Sequence, residues 1–517
     1  MSHIIISVSS ILPLKYETRS ETVLSPSIFA ENLMTLRLIN RSAGEALKSN
    51  NLVVIGQRLK ECFADNAMLS SMMGDAATSS NFKVISDVGQ RQIRILPIAS
   101  DASRHNSPLR LDLLSTSLTP VLAESSQTSV DILCTLPTGT NAVAASVAVA
   151  RAFPCKYSRK TSATSSLDVT LSFVTLDKTE VAHLDHALLV ANAVRDTQAW
   201  TDSAPNDFNT TEFIAEAHRV ASEVGASIDI IQGRELQHRG FGGIWGVGKC
   251  SENPPALVHL SLNVTNGPAA VLVGKGITYD SGGLAIKPRE GMCGMKRDMG
   301  GAAAVLGAFA AISRSIRAGH VSLKNGIGRI DCVLCIAENS VGAASFRNDD
   351  VLQLYSGLTV EVTNTDAEGR LVLSDGVAYA AKHIPNIDLV IDMATLTGAA
   401  TYSAGHIHGA LLSNSDDLEA TAIAAGKVSG DCVFPMLYAP ELHDKHFKSE
   451  VADMTNAVSV KDDCPSSCAG LFIEKSLKAA GYAGKWMHVD MAKPVTMNKG
   501  SKASGFGVAL LVEMLVR

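Results

Sequence analysis

The chain has 517 residues, enough for two or more domains with sizeable cores. Hydrophobic residues make up 46% and charged residues 19%, a globular balance that excludes a disordered chain. A formal charge of −6 gives no electrostatic case for a nucleic-acid or membrane-surface partner, so partners must be argued from sites.

The first residues, Met1 to Val8, lack the basic n-region of a secretory leader, and Ser9, Ser10 and Pro13 interrupt the apolar run. No stretch approaches the ~18 continuous apolar residues of a membrane span. Met514 to Arg517 carry no retention, peroxisomal or lipidation signal, so a cytoplasmic location is expected. Up to about residue 178 the chain is rich in Ser and Thr. It has strand candidates at Val130–Cys134 and Leu167–Val174 and an exposed loop at Tyr157–Ser166. Lys156, Arg159 and Lys160 form a small basic run that reads as solvated loop rather than a nucleic-acid patch. Apolar residues at Leu184, Leu188, Leu189, Ala191 and Val194 then predict a helix over Val181–Trp200, bridging two domains.

From about residue 205 strands and helices alternate. Strands are expected at Ile228–Ile231, Ala256–Leu260, Ala269–Val273, Cys332–Ile336, Asp388–Asp392 and Trp486–Asp490. Helices are expected at Thr211–Val224, Gly301–Ile316, Leu371–His383, Leu418–Ala425, Ala469–Ala480 and Gly505–Leu515. This alternation is that of an α/β fold with a mainly parallel sheet flanked by helices, in which sites gather at the carboxyl ends of strands.

Four motifs within this region point away from chemistry. Gly243–Lys249 matches most of a phosphate-binding loop, but Cys250 replaces the metal-binding hydroxyl and Pro254 and Pro255 fall where the helix would continue. Cys332 and Cys335 lie inside an apolar strand-like run and read as buried reduced thiols. His406 and His408 would share one side of a strand, with no third ligand nearby. Cys464 and Cys468 have no second pair at zinc-site spacing, and ten cysteines are too few for a disulfide scaffold.

Two others carry charge that needs explaining. Beyond the strand Ala269–Val273 come Lys275, Asp280, Lys287 and Asp298 among glycines that allow tight turns and close backbone approach. Farther on, Asn364-Thr365-Asp366-Ala367-Glu368-Gly369-Arg370-Leu371 places two acids and a guanidinium within five residues, read as an extended edge whose alternate side chains face one pocket. Four carboxylates cannot share a buried pocket without countercharge, because each raises the others' pKa. Two divalent cations meet that need and would also depress a nearby lysine's pKa, exposing its lone pair. Oxygen-rich ligation without histidine suits Mn, Mg or Zn and selects none of them.

VGKGITYDSGG, MKRDMGGAAAVLGA, NTDAEGRLVLSDG and DMATLTGA, with RGFGGIWGVGK and SGFGVALL, resemble the leucyl aminopeptidase (cytosol aminopeptidase) family of two-metal exopeptidases across roughly residues 180 to 517. The resemblance implies an N-terminal α/β domain for assembly and access (1–178), a linker helix (179–204) and a catalytic domain (205–517). It makes Lys275, Asp280, Asp298 and Glu368 the ligands of a tighter metal, and Asp280, Asp366 and Glu368 those of a more exchangeable one. Lys287 and Arg370 would be the catalytic pair, with a bicarbonate on Arg370 as general base, cradled near Ala367, Gly369 and Leu396. A guanidinium stays protonated and cannot be the base itself. The metal ions would be Mn2+ or Zn2+, with Mg2+ and Co2+ compatible.

By the same resemblance Met295, Thr395, Gly398, Ala492 and Val495 line the side-chain pocket and Asn364 contacts the peptide backbone. Peptides with Leu- or Met-like first residues are the implied substrates, with broad preference because an apolar pocket separates neighbouring aliphatic side chains by only about 1–3 kcal/mol. A homohexamer of two stacked trimers is implied, with no nucleic-acid or membrane partner expected. Cys293 stands where many relatives carry an acid, and reads as a packed or idle thiol. The alternative is a non-catalytic scaffold or DNA-binding member of the same family, opposed by the lack of any basic run beyond Lys156, Arg159 and Lys160. A metal-binding pseudoenzyme is disfavoured because no implied catalytic position is substituted.

Overall fold

The computed structural model describes residues 34–39, 42–65, 83–86, 92–123, 128–153, 157–161, 167–458, 460, 462–497 and 502–517. The reading of Met1 to Pro13, Lys156 in the basic run, and the end of the Tyr157–Ser166 loop lie outside the described residues.

Two sheets organise the molecule. The first contains β1 (Met34–Leu38), β2 (Asn51–Gly56), β3 (Lys83–Ser86), β4 (Gln92–Pro97), β5 (Ser129–Leu136) and β6 (Leu167–Thr175), in the order β1-β6-β5-β2-β4-β3. All its pairings are parallel except β3 with β4. Helices α1 (Leu111–Ala123) and α2 (Ala142–Ala152) cover it; α2 is Ala/Val-rich and almost wholly buried.

Helix α3 (Leu184–Asp202) occupies the stretch expected to bridge the domains. Ala191 packs into the core of the first sheet, whereas Val190, Ala193 and Val194 pack into the core of the second. One helix with two apolar faces therefore joins the cores.

The second sheet has eight strands. They are β7 (Ser227–Gln232), β8 (Ala256–Asn263), β9 (Ala269–Asp280), β10 (Arg329–Asn339), β11 (Ile387–Ala394), β12 (Gly409–Ser413), β13 (Val433–Pro435) and β14 (Lys485–Asp490). Their order is β13-β12-β14-β11-β9-β10-β8-β7. The centre, β14-β11-β9-β10, is parallel, and antiparallel pairs occur at β12 with β14, β10 with β8, and β8 with β7. The sheet is thus mixed around a parallel middle, as expected for an α/β fold. Strand β9 is buried along nearly its whole length, because a central parallel strand covered on both faces has no solvent side.

The covering helices are α4 (Thr210–Val224), α5 (Gly242–Gly248), α6 (Gly300–Arg317), α7 (Gly369–His383), α8 (Asp416–Ser429), α9 (Pro465–Ala479) and α10 (Val508–Leu515). Local chemistry sets their ends: Asn209 accepts a hydrogen bond from the Thr211 amide to start α4, and Gly225 at φ 63° ends it. Helix α6 is the longest apolar helix, and it is buried inside the molecule. It lies against β9 so closely that a Cβ on Gly274 would stand 2.4 Å from the Ala302 Cα. That contact is open only to glycine.

Candidate active site

The strand β9 does not stop at Val273, as the hydrophobic run suggested, but continues through Lys275 to Asp280. Both charged groups are therefore carried on a central strand, where the register sets Lys275 beside Cys335 and Asp280 beside Asn339 of β10. The octapeptide is also not an extended edge. Asp366 lies in a turn, Glu368 is the N-cap of α7 with φ −74° and ψ −37°, and Arg370 is in the helix's first turn. Helical rather than alternating geometry replaces the shared edge, and no ion pair joins Arg370 to Asp366 or Glu368 among the described residues. Asp298 follows a 3-10 turn, Met295–Arg297, just before α6.

These separate pieces converge on one buried cluster. The Lys275 ammonium, 2% exposed, lies 2.8 Å from Asp298 Oδ2 and 2.8 Å from Glu368 Oε1, and donates to the Thr395 carbonyl at 2.9 Å. The Lys287 ammonium pairs with Asp280 Oδ2 at 2.8 Å and with Asp366 Oδ1. One carboxylate oxygen from each of Asp280, Asp298 and Glu368 lies within 4.8 Å of the others. Counted as fully ionised, the four carboxylates outnumber the two ammoniums by two charges among the described residues. Glu368 Oε2 is buried with no hydrogen-bond partner among the described residues.

Electrostatics follow from that crowding. Burial, with the nearby Glu368 charge, pushes Asp280 up to about 6 against the pull of Lys287. Burial likewise raises Asp298 well above, and Asp366 above, the carboxylate range. Glu368 alone is held low: burial opposes its charge, but Lys275 and Lys287 outweigh it. Burial would neutralise both lysines, yet the surrounding carboxylates hold each ammonium above the ordinary lysine range. Lys275 can offer a lone pair only where cations take the place of its proton. The acids, the orphaned Glu368 oxygen and the excess negative charge fit a site for divalent cations.

Arg370 has different surroundings. Its Nε and Nη1 are buried with no hydrogen-bond partner among the described residues, and its guanidinium lies 5.9 Å from the Phe472 ring centre. Burial pulls it down to about 10, far more than its acidic neighbours recover. A buried cation with two idle donors fits an anion. Of the residues expected to cradle that anion, Ala367 donates its amide to the Asn364 carbonyl at 3.2 Å, and Leu396 donates its amide to Asp490 Oδ1 at 3.1 Å. Gly369 is required for another reason: a Cβ there would stand 2.6 Å from Lys275 Cε and 2.7 Å from its Nζ.

The expected side-chain pocket residues are placed as follows. Thr395 is buried, with its hydroxyl on Asp298 Oδ1 at 2.8 Å. Val495 is buried beside Gly300; Met295 and Ala492 are partly exposed. Gly398 is exposed with open space on its Cβ side. Asn364 Oδ1 accepts from the Asp366 amide at 2.9 Å, so this side chain shapes the turn that carries Asp366.

Comparison with known proteins fits this geometry. The cytosol aminopeptidase family catalytic domain matches residues 194–512, and an N-terminal domain of the same aminopeptidases matches residues 64–163. The chain belongs to the cytosol aminopeptidase family. It is 43% identical over 424 residues to the Homo sapiens protein named Probable aminopeptidase NPEPL1, covering 80% of this chain and 78% of that protein. Leucine aminopeptidase 1 of Caenorhabditis elegans is 42% identical over 373 residues, 71% of this chain and 72% of that one. The bestatin complex of leucyl aminopeptidase from Trypanosoma brucei superposes with a TM-score of 0.85 at 33% identity, covering 94% and 96% of the two chains. The chain is an aminopeptidase of this family, and its buried acidic cluster supports a metal cofactor.

Three residues of this aminopeptidase fold escape a reading by motif. Asn339 donates to Asp280 Oδ1 at 2.9 Å and to the Thr365 carbonyl at 3.0 Å, tying the two polar stretches together. Asn456 accepts from the Thr363 amide at 2.8 Å and donates to the Asn364 carbonyl at 2.6 Å. Asp490, buried at the end of β14, accepts from the Leu396, Thr397 and Ala492 amides at 3.0–3.1 Å. The only signal for Asp490 was its place at the carboxyl end of a predicted strand; the two asparagines had none.

The motifs set aside have structural roles. Gly243–Gly248 lies within helix α5, so no phosphate loop exists there. Cys332 and Cys335 are free and buried in β10, and burial raises both thiols. His406 and His408 occupy a turn rather than a strand, and His408 Nε2 contacts the His105 carbonyl at 2.7 Å. Cys293 is free and exposed, so it is not packed.

Proposed function

We propose that this aminopeptidase releases N-terminal amino acids from peptides with the help of two divalent ions, Mn2+ or Zn2+, with Mg2+ or Co2+ compatible. The observation that carries the reading is the buried group of Asp280, Asp298 and Glu368 around Lys275, with excess negative charge and an idle Glu368 oxygen. Lys275, Asp280, Asp298 and Glu368 would hold one ion, and Asp280, Asp366 and Glu368 the other. Bound there, the ions would supply a water of lowered pKa and Lewis-acid polarisation.

The chain's own groups complete the chemistry. Lys287 keeps its proton at neutral pH and donates to the oxygen of the scissile carbonyl. Arg370 remains cationic, and its idle Nε and Nη1 would hold a bicarbonate, which when bound would supply a general base. Ala367, Gly369 and Leu396 border it, with the Leu396 amide already given to Asp490. Met295, Thr395, Gly398, Ala492 and Val495 select Leu- or Met-like first residues, and Asn364 orients the substrate backbone.

The division at 1–178, 179–204 and 205–517, a cytoplasmic location and a homohexamer complete the proposal. Light scattering after size exclusion tests the last, and a stable monomer would overturn it. Hydrolysis of Leu-p-nitroanilide with added Mn2+ tests the activity: wild type should turn over, whereas Lys287→Ala should lose most of its kcat. An inactive metal-loaded wild type would sink the reading.

A further inference from the structure

A second group of metal-ligating side chains stands apart from the carboxylate cluster. It is built where the short helix Pro440–His443 and the 3-10 turn Asp444–Phe447 meet the N-terminus of α9. One ligand atom each from His443, Asp463 and Cys464 lies within 4.8 Å of the others. His446 joins them, with its Nε2 2.7 Å from Asp463 Oδ2, while His443 Nε2 lies 3.8 Å from Asp463 Oδ1. Both imidazoles are almost completely buried, at 2% and 4% exposure.

Two details suit this group to a metal ion. His443 Nδ1 lies 2.9 Å from the Ala439 carbonyl; a proton on Nδ1 makes that contact a hydrogen bond and leaves the Nε2 lone pair facing Asp463 and Cys464. An imidazole donating its other nitrogen's proton to a carbonyl is the usual outer support of a metal-bound histidine. The donors are also two nitrogens, one carboxylate oxygen and one sulfur, four groups of the kind that favour tetrahedral zinc-type ions over the oxygen-seeking Mg2+ and Ca2+. Tetrahedral ligands at zinc distances stand about 3.5 Å apart, so contraction by roughly 1 Å closes the His443, Asp463 and Cys464 triad, and His446, which touches Asp463, turns in as the fourth ligand. Cys464, half-exposed and at φ 47°, gives solvent access from the α9 side.

We propose that His443, His446, Asp463 and Cys464 form a transition-metal site of the zinc class, separate from the catalytic cluster. Binding releases the Cys464 thiol proton to solvent, shifts the His446 proton from Nε2 to Nδ1 so that Nε2 can ligate, and leaves the oxidation state of the metal unchanged. The site would fasten the 440–447 segment to α9. Phe447 of that segment packs near Phe472 of α9, at 6.1 Å between ring centres, and Phe472 lies beneath Arg370. The ion would thereby stiffen one wall of the Arg370 pocket without touching substrate.

Cobalt titration of the full-length metal-free protein tests the site independently of peptidase activity. Co2+ bound to thiolate gives a near-ultraviolet charge-transfer band that an oxygen and amine site cannot produce. Wild type and Glu368→Gln should both develop the band once Co2+ is added in excess of the two catalytic ions. Cys464→Ser should lose it while hydrolysing Leu-p-nitroanilide within about twofold of wild type. His446→Gln should weaken the Co2+ affinity read from the band by at least tenfold. Absence of the band in wild type, or its survival in Cys464→Ser, would overturn the proposal.

Discussion

Two buried cations sit near the same sheet end, and their surroundings are opposites. Lys275 is enclosed by Asp298, Glu368 and the Thr395 carbonyl, and its charge is raised in stability by them. Arg370 has the Phe472 ring and two idle nitrogens, and burial works against its charge. A buried charge that is paired is a structural asset once assembled; a buried charge left open has a cost that persists unless a ligand removes it. On the proposed reading, the contrast separates the part of the site that would gather cations from the part that would gather an anion. Asp375, farther along α7, extends the comparison: it is a buried acid met by backbone amides, those of Tyr355 and Ile244 among them, with no ion pair among the described residues.

The sharpest way to break this division is Glu368→Gln, which removes one charge from the cation side. We expect Mn2+-dependent hydrolysis to fall on the order of 10³-fold, as loss of a central electrostatic element does; full retained activity would show that Glu368 holds no metal. Arg370→Ala should lower kcat by roughly 10²-fold, the scale of a general-base contribution. The anion reading adds a second outcome, namely that stripping bicarbonate from the buffer slows wild type and leaves Arg370→Ala unaffected.

Gly369→Ala probes the boundary between the two. Its methyl would overlap Lys275, so thermal unfolding should show a loss of about 1–3 kcal/mol with roughly tenfold lower activity. For Asp375, burial raises the folded-state pKa from 3.8 to about 7. The native state then binds the extra proton between about pH 4 and 7, so stability falls as pH rises through that window. Asp375→Asn should flatten this slope in denaturant titrations at several pH values. Cys293→Ser should change least, within about twofold in kcat/KM, since the thiol is exposed.

The two regions differ in how much of them is legible in the sequence. The strands and helices of the second sheet were legible because buried parallel strands read as apolar runs and their helices have clear periodicity. The same hydrophobic signal ended β9 too early, since Lys275 and Asp280 look like loop residues until the burial of a central strand is known. Alternation likewise misled at Asp366 to Arg370, where Gly369 and Arg370 open a helix instead of continuing an edge. The acids and lysines were all named beforehand because their clustering in charge and glycine is local. Asn339, Asn456, His443 and His446 were not, because each gains its partners from other segments of the chain, and Cys464 was weighed only with Cys468.

The sequence by itself determined the α/β class, the helix between the two sheets and the residue types of the cation cluster, all of which are written in periodicity and short motifs. Only tertiary structure decided which of those charges are compensated. Strand register set Asn339 against Asp280, the turn into α7 separated Arg370 from Glu368, and close approach over Gly369 admitted Lys275. The physical reason is that charge pairing inside a protein depends on distance and burial, and neither is a property of neighbours in the chain.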